Sequence, residues 1–268
     1  MTVSLMWRAA ILAVLAVSLQ LAGCASDPKE GSAAETAERL YKEAREDMES
    51  GAYERAIKSL ERVEGLAAGT LLAQQSLLDI AYLNWRSGER AAALTAVERF
   101  IKLNPSSPAL DYALYLRGVI NFNDDLGLLG NLAGQDLSER DQRASRDAFQ
   151  AFKQLIDQFP ASQYAEDARL RMDYIVHSLA KYEVHVARYY LRRGAYVAAA
   201  HRAQQAVTDF QQAPAVEEAL HIMVQSYDKL QLPALRDDAE RVLRKNYPDS
   251  AFLSQGSSAK DKAWWKLW

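Results

Sequence analysis

GAYERA at residues 51–56 decides the fold, because the same pattern returns twice further along the chain. GERAAA at residues 88–93 and GAYVAA at residues 194–199 keep both the glycine and the closing alanine. A helical run precedes and follows each copy. Glycine permits the left-handed cap at which a helix ends and the chain reverses, and the small closing residue lets two helices approach closely. The pattern therefore predicts repeated helix pairs.

Prolines end the repeats, because proline cannot continue a helix. Pro105, Pro160 and Pro248 each follow the second helical run of a repeat. Tetratricopeptide repeats have a similar organisation, with a period of about 34 residues. We therefore predict an all-α fold, a right-handed α-solenoid of about five tetratricopeptide-like helix pairs. The pairs are expected at residues 34–68, 70–105, 108–160, 162–212 and 214–248.

Two of the pairs are longer than a single repeat. The third has about 21 additional residues relative to the tetratricopeptide period, and the Gly-, Asn- and Asp-rich residues 123–139 predict an inserted loop there. The fourth has about 17 additional residues, with neither proline nor glycine at residues 165–193. We therefore expect a long first helix in the fourth pair, extending beyond the stack and offering a docking surface.

The amino terminus has the order of a secretory signal. Arg8 precedes an apolar run of about a dozen residues, and a membrane-spanning helix needs roughly 20. Leu21-Ala22-Gly23-Cys24 closes this run and resembles the bacterial lipobox. The resemblance implies cleavage before Cys24, an S-diacylglycerol on its sulfur and an N-acyl group on its new amine. The alternative is an ordinary signal peptide followed by a chance cysteine, although Cys24 is the only cysteine in the chain.

This interpretation makes residues 1–23 a lipoprotein signal peptide and residues 24–33 a lipidated, flexible tether. Each buried methylene contributes about 0.8 kcal/mol, so two or three acyl chains anchor a protein durably. Ala25 and Ser26 follow the cysteine instead of the aspartate that commonly retains lipoproteins at the inner membrane. By resemblance to that sorting rule, the expected location is the outer membrane, lipid-anchored and facing the periplasm.

Charge and motifs exclude several classes of function. Removing Arg8 from the 32 lysines and arginines leaves 31 cations against 35 acidic residues, so no nucleic-acid partner is expected. His177, His185, His201 and His221 form no HExxH motif, and Asp124-Asp125 lacks the spacing of a calcium loop. We therefore predict no enzyme, no metal site and no cofactor other than the lipid on Cys24.

Aromatic side chains are expected to line a groove, because the first helix of each pair faces the concave side of such a stack. Alignment on Ala44, Ala81 and Gly118 places on that side Tyr41, Leu78, Tyr82, Trp85, Tyr112, Tyr115 and Phe122. An aromatic groove suits an extended peptide with apolar or aromatic side chains. The alternative for each residue is packing between helices.

Longer runs resemble a known family. RFIKLNP at residues 99–105, LAKYE at 179–183, VARYY at 186–190 and RGAYVAA at 193–199 are similar to the BamD family of outer-membrane assembly lipoproteins. The similarity extends over nearly the whole mature chain. The long fourth-repeat helix and the third-repeat loop are also expected where that family has them.

The resemblance implies a non-enzymatic subunit of the β-barrel assembly machinery. Residues 161–248 would dock on the periplasmic POTRA domains of the barrel subunit BamA, with Arg193, Tyr196 and Arg202 as candidate contacts. Arg202 would then seek a carboxylate partner. Residues 34–160 would receive the carboxy-terminal signal of unfolded barrel proteins. Other lipoproteins of the machinery are implied as further partners.

The family resemblance does not account for two segments of the chain. Family members often carry a Tyr-Pro-Phe-type stretch between the first two repeats, where this chain has GLAAGTLL at residues 65–72. The substrate contacts at that junction are therefore not implied. Residues 249–268 form a polar tail that ends in KAWWKLW. Its tryptophans and lysines suit a membrane interface or a partner groove, and folding back on the last repeat is the alternative.

Two further classes of protein are alternatives to the assembly scaffold. A pilotin-like assembly factor for a secretin would share the lipobox and the repeats, but not the long fourth helix or the KYE and RGAY runs. A lytic transglycosylase lipoprotein would need a separate catalytic domain with a buried glutamate. The repeats leave no room for such a domain.

Overall fold

The computed structural model describes residues 32–122 and 142–254, and within these ranges it is built from helices without strands. Cys24 with the predicted signal peptide, the loop predicted at residues 123–139 and the chain from residue 255 onward lie outside the described residues. The helices are α1 (Ala33–Glu49), α2 (Tyr53–Leu66), α3 (Leu71–Arg86), α4 (Arg90–Leu103), α5 (Leu110–Asn121), α6 (Gln142–Gln158), α7 (Ala165–Arg192), α8 (Tyr196–Asp209), α9 (Val216–Lys229), α10 (Pro233–Asn246) and α11 (Ala251–Ser254).

The described helices belong to two compact units, divided between Ser87 and Gly88. The first unit contains α1–α3, and the second contains α4–α11. The helices follow one another at the positions that the repeat predicts, so the predicted all-α fold of tetratricopeptide-like helix pairs is confirmed. The functional division at residue 160 stays a prediction.

The repeat glycines have the backbone conformation that the sequence predicts. Gly51, Gly88 and Gly194 have φ angles of 78°, 86° and 76°, in the left-handed region that glycine enters without a steric penalty. Gln231 (φ 58°) takes the equivalent place between α9 and α10. The last helix pair therefore uses the same turn with a side chain that this conformation disfavours.

The small residues of the repeat lie where helices meet. Ala56, Ala93 and Ala199 are fully buried. Gly118 of α5 is the tightest position, because a Cβ atom built on it would lie 2.3 Å from a ring carbon of Phe152 in α6. Phe152 is itself fully buried. The two helices can therefore approach this closely only without a side chain at residue 118.

The long helix α7 has 28 residues, against 12–17 in the other helices from α1 to α10. It is about 42 Å long, since an α-helix rises about 1.5 Å per residue. Its buried residues run from Ala165 to Ala187, so most of its length is packed instead of extending freely beyond the neighbouring helices. Val184 and Ala187 contact α8 and α9. The part of α7 that a partner can contact is therefore one exposed face along a packed helix.

None of the helices in residues 32–122 and 142–254 is both long enough and apolar enough to cross a membrane.

We expect Gly118→Ala to lower the free energy of unfolding by about 1–3 kcal/mol, because overpacking of a closed interface costs that much. Gly65→Ala in α2 is the matched control, since its added Cβ would meet no atom within 4 Å. The control should be neutral or stabilising by up to about 1 kcal/mol. Urea unfolding followed by circular dichroism measures both. Equal stability of the two variants would contradict the close approach of α5 and α6.

Candidate docking surfaces

An open depression of about 620 Å³ lies at the turn between α7 and α8. Its lining residues are Tyr190, Gly194, Ala195, Tyr196, Val197, Ala198, His201, Arg202 and Leu230. Arg202 is the one lysine, arginine or carboxylate among them. Val197 is 70% exposed at the start of α8, although it is a large apolar residue. The surface thus combines exposed apolar area with a single permanent charge.

Arg202 has a carboxylate partner within the second unit. Its Nη1 donates a hydrogen bond to Oε2 of Glu183 in α7 over 3.0 Å. The side chain of Glu183 is 3% exposed, whereas that of Arg202 is 37% exposed. The structure therefore gives Arg202 a carboxylate partner within the protein, Glu183. A neutral or acidic residue in place of Arg202 would leave this buried carboxylate without a charged partner, which is strongly destabilising.

The other two docking candidates take different positions. Tyr196 lines the depression beside Arg202. The guanidinium of Arg193 lies 5.9 Å from the ring centroid of Tyr189, on the neighbouring face of α7. Tyr189 meets Tyr190 edge to face, with centroids 5.7 Å apart. Arg193 is therefore linked to the depression through this tyrosine pair and does not line it.

Three of the groove candidates lie in the first unit. The hydroxyl of Tyr41 donates to Oδ2 of Asp79 over 2.9 Å, which connects α1 with α3. Tyr82 and Trp85 are half-buried neighbours on α3, with ring centroids 5.8 Å apart. Leu78, also expected on this side, is only 1% exposed and belongs to the core. That placement was wrong, because α3 is buried on more than one face.

Asp79 carries the main electrostatic feature of the first unit. Burial raises its pKa above the ordinary value, although hydrogen bonds from Gln75 and Tyr41 act in the opposite direction. Burial, together with the nearby Asp79 carboxylate, also raises the pKa of Tyr41. A half-buried carboxylate, here hydrogen-bonded to Tyr41 and Gln75, is also an acceptor for the N–H groups or cations of a ligand.

The remaining groove candidates pack together in the second unit. Tyr115 stacks on Tyr164 with centroids 4.8 Å apart, and Tyr112 meets the same ring at 5.5 Å. Phe122 contacts Phe152 at 6.4 Å and Tyr174 at 5.7 Å. Packing between helices, the alternative weighed for these residues, therefore accounts for part of their surface. The sequence analysis did not assign Tyr164, Phe152 or Tyr174 to the groove, because helical spacing does not show which side chains of different helices meet.

A polar network crosses this aromatic cluster. The Tyr115 hydroxyl donates to Oδ2 of Asp167 over 2.8 Å, and Nε of Arg171 donates to the same oxygen over 2.6 Å. Burial alone would raise the pKa of Asp167, but these two hydrogen bonds lower it. The Arg171 guanidinium also lies 5.0 Å from the Phe122 centroid. The network joins α5 to α7.

The described residues show no cluster of three or more metal-ligating His, Cys, Asp or Glu side chains. His221 instead stacks on Phe252 of α11, with centroids 4.6 Å apart, and burial lowers its pKa.

Asp79→Asn tests the electrostatics of the first unit. A carboxyl group whose folded pKa is raised binds its proton more readily in the folded state, so its ionisation destabilises the fold as pH rises through that range. Asparagine keeps an acceptor for Tyr41 but does not ionise. We therefore expect the variant to melt at or above the wild-type temperature at pH 7, and this relative advantage to disappear at acidic pH.

Thermal unfolding at both pH values measures this difference. Asp157→Asn is the control, because Asp157 is an exposed carboxylate on α6 and its partner among the described residues is Lys153, one turn away. A variant at Asp79 that is less stable than wild type at pH 7, and equally so in acid, would contradict the unfavourable burial of this carboxylate.

A family model and two relatives indicate the same family for this chain. The YfiO family model, described as outer membrane lipoprotein, matches residues 33–243. Outer membrane protein assembly factor BamD of Neisseria meningitidis serogroup B is 43% identical over 263 residues, covering 96% of this chain and 98% of that protein. BamD of Haemophilus influenzae is 32% identical over 235 residues, covering 88% of this chain and 89% of that protein. The crystal structure of MamA protein aligns with 79% of this chain and 90% of that chain, with 16% identity and a TM-score of 0.39.

Proposed function

The chain belongs to the BamD family of outer-membrane protein assembly factors, and we propose that it is a non-enzymatic scaffold subunit of the β-barrel assembly machinery. In this role it binds the periplasmic POTRA domains of BamA and unfolded barrel proteins, and so promotes their folding and insertion. Other lipoproteins of the machinery are further partners. Cys24 carries the lipid that holds the protein at the outer membrane, facing the periplasm.

The depression between α7 and α8 is the observation that carries the docking proposal. An exposed Val197 beside the charged Arg202 gives a partner both apolar area to bury and a donor for a carboxylate. Apolar burial contributes about 25 cal/mol per Å², and charge-assisted hydrogen bonds fix the orientation of a partner. A POTRA domain would therefore bind here with an acidic side chain flanked by apolar surface.

The aromatic faces of the first three repeats supply the proposed contacts to unfolded substrate. Tyr41, Tyr82 and Trp85 are half-buried in the first unit, and Tyr112, Tyr115 and Phe122 are half-buried in the second. Each therefore keeps part of its ring accessible while its packing fixes the ring position. Rigid aromatic rings bind extended peptides at low conformational cost. Asp79 adds an acceptor for peptide N–H groups in the first unit.

Val197→Asp tests the docking surface without removing the partner of Glu183. We expect at least a tenfold loss of affinity for a purified BamA POTRA array, because the new carboxylate engages Arg202 and repels an acidic partner. Val242→Asp on α10 is the matched control, since Val242 is also an exposed valine but lies outside the depression. Its affinity should be that of wild type.

The measurement is biolayer interferometry with the lipidated full chain in detergent, with helicity checked by circular dichroism. Wild-type binding with equal affinities of the two variants would move the POTRA contact elsewhere on the chain. An absence of binding by wild type would contradict the scaffold proposal and favour a pilotin-like role.

A further inference from the structure

Glu183 is a buried carboxylate in the middle of α7. Among the described residues, its carboxylate makes a hydrogen bond or ion pair only with Nη1 of Arg202, at 3.0 Å. Burial of an ion pair in this way is weak support for stability, because the desolvation of the two charges consumes most of their attraction. A pair of well-packed apolar side chains would serve the fold equally well. The clearest effect of the Glu183 carboxylate is therefore to fix the position of the Arg202 side chain.

The geometry of the pair leaves most of the guanidinium available. An arginine carries five N–H donors in a planar fork. Within the described part of the chain, Glu183 engages only the Nη1 group, at one edge of this fork. The Arg202 side chain is 37% exposed and lines the depression. Glu183 thus holds the guanidinium from its buried side, and the remaining N–H donors can bind a partner on the solvent-facing side.

Arg188, also on α7, shows the contrasting arrangement. Its Nε and Nη2 each donate to one carboxylate oxygen of Glu218 in α9, both over 2.7 Å. This bidentate pair uses one edge of the fork and joins two helices of the same unit. Arg188 and Glu218 therefore form a two-point clamp between α7 and α9, whereas Glu183 supports Arg202 at a single point beside the depression.

We infer that Glu183 is a positioning residue for partner docking: through a single hydrogen bond it holds the Arg202 guanidinium so that its outer N–H groups receive a carboxylate of the docking protein. The inference rests on the proposed function, in which the depression binds a POTRA domain. It adds a residue that makes no contact with the partner.

The test is a set of affinities for the POTRA array, measured with the lipidated full chain in detergent. Glu183→Gln keeps the shape and one acceptor oxygen but removes the charge that fixes Arg202. It should weaken binding by roughly three- to tenfold, the cost of ordering one long side chain on association. Glu218→Gln removes the charge of the clamp beside it and should leave the affinity unchanged.

Variants at Arg202 distinguish positioning from a general structural effect. Arg202→Gln should bind at least as weakly as Glu183→Gln, and its melting temperature should fall because Glu183 is left unpaired. Glu183→Gln/Arg202→Gln removes that buried charge and keeps a folded reference. Its affinity should be no lower than that of Arg202→Gln, because Glu183 acts only through the arginine.

Four outcomes would overturn the inference. Wild-type or tighter binding by Glu183→Gln would mean that Glu183 does not assist docking. If Glu183→Gln weakened POTRA binding by the same factor in the wild-type chain and in the Arg202→Gln chain, Glu183 would have a general structural role. Wild-type affinity of the double variant would remove Arg202 from the interface while leaving POTRA binding intact. Failure of wild type to bind would overturn the proposed function together with the inference.

Discussion

Close approach of helices at alanine and glycine is the constraint on which the rest of the structure depends. In the second unit, Ala187 on α7, Ala199 and Ala203 on α8 and Ala219 on α9 are fully buried in one cluster. Side chains this small bring helix axes near the lower limit of the usual separation. No large ring fits between the backbones at these alanine contacts. Tyr190 is therefore displaced to the margin of this cluster, where it is partly buried. Phe100 and Phe152, in contrast, are fully buried in the core.

This displacement connects the packing with the proposed role. Tyr190 and Tyr196 flank the turn at Gly194 and line the depression because the alanines that follow occupy the interior. Tyr112 and Tyr115 are half-buried on α5, and both contact Tyr164, the residue that precedes α7. The two arginines also differ: both oxygens of Glu218 hold Arg188, whereas among the described residues one hydrogen bond from Nη1 holds Arg202, which lines the depression. Around the α7–α8 turn, the repeat thus places alanines in the interior and tyrosines and Arg202 at the edge.

Much of the fold was predictable from the sequence because helix pairs have local signatures. The repeat glycines, the prolines after each pair and the uninterrupted residues 165–193 located the helices and the long α7 correctly. The left-handed Gln231 was not predictable, because no glycine marks that turn. Helical period indicates which residues share a face, but it does not identify the neighbouring helix that covers the face. For this reason Leu78 was assigned to a groove although it lies in the core.

The site was predictable only in part, for a related physical reason. Tyr196 and Arg202 were found from runs of sequence that resemble a family, and the structure places them on one surface. Glu183 lies in one of those runs, yet its partner is 19 residues away and on another helix. Spacing within a helix does not reveal such a pair. Leu230 joins the depression from a third helix end, without any sequence signal of its own.

Hydrogen–deuterium exchange of the lipidated full chain, with and without a saturating POTRA array, tests the central claim most directly. Backbone amides become protected where a partner buries them or stabilises the helices beneath it. Docking in the depression predicts added protection across residues 189–202 and at the turn around Leu230, with little change along α10. Protection confined to other segments, with unchanged exchange at the α7–α8 turn, would contradict the account.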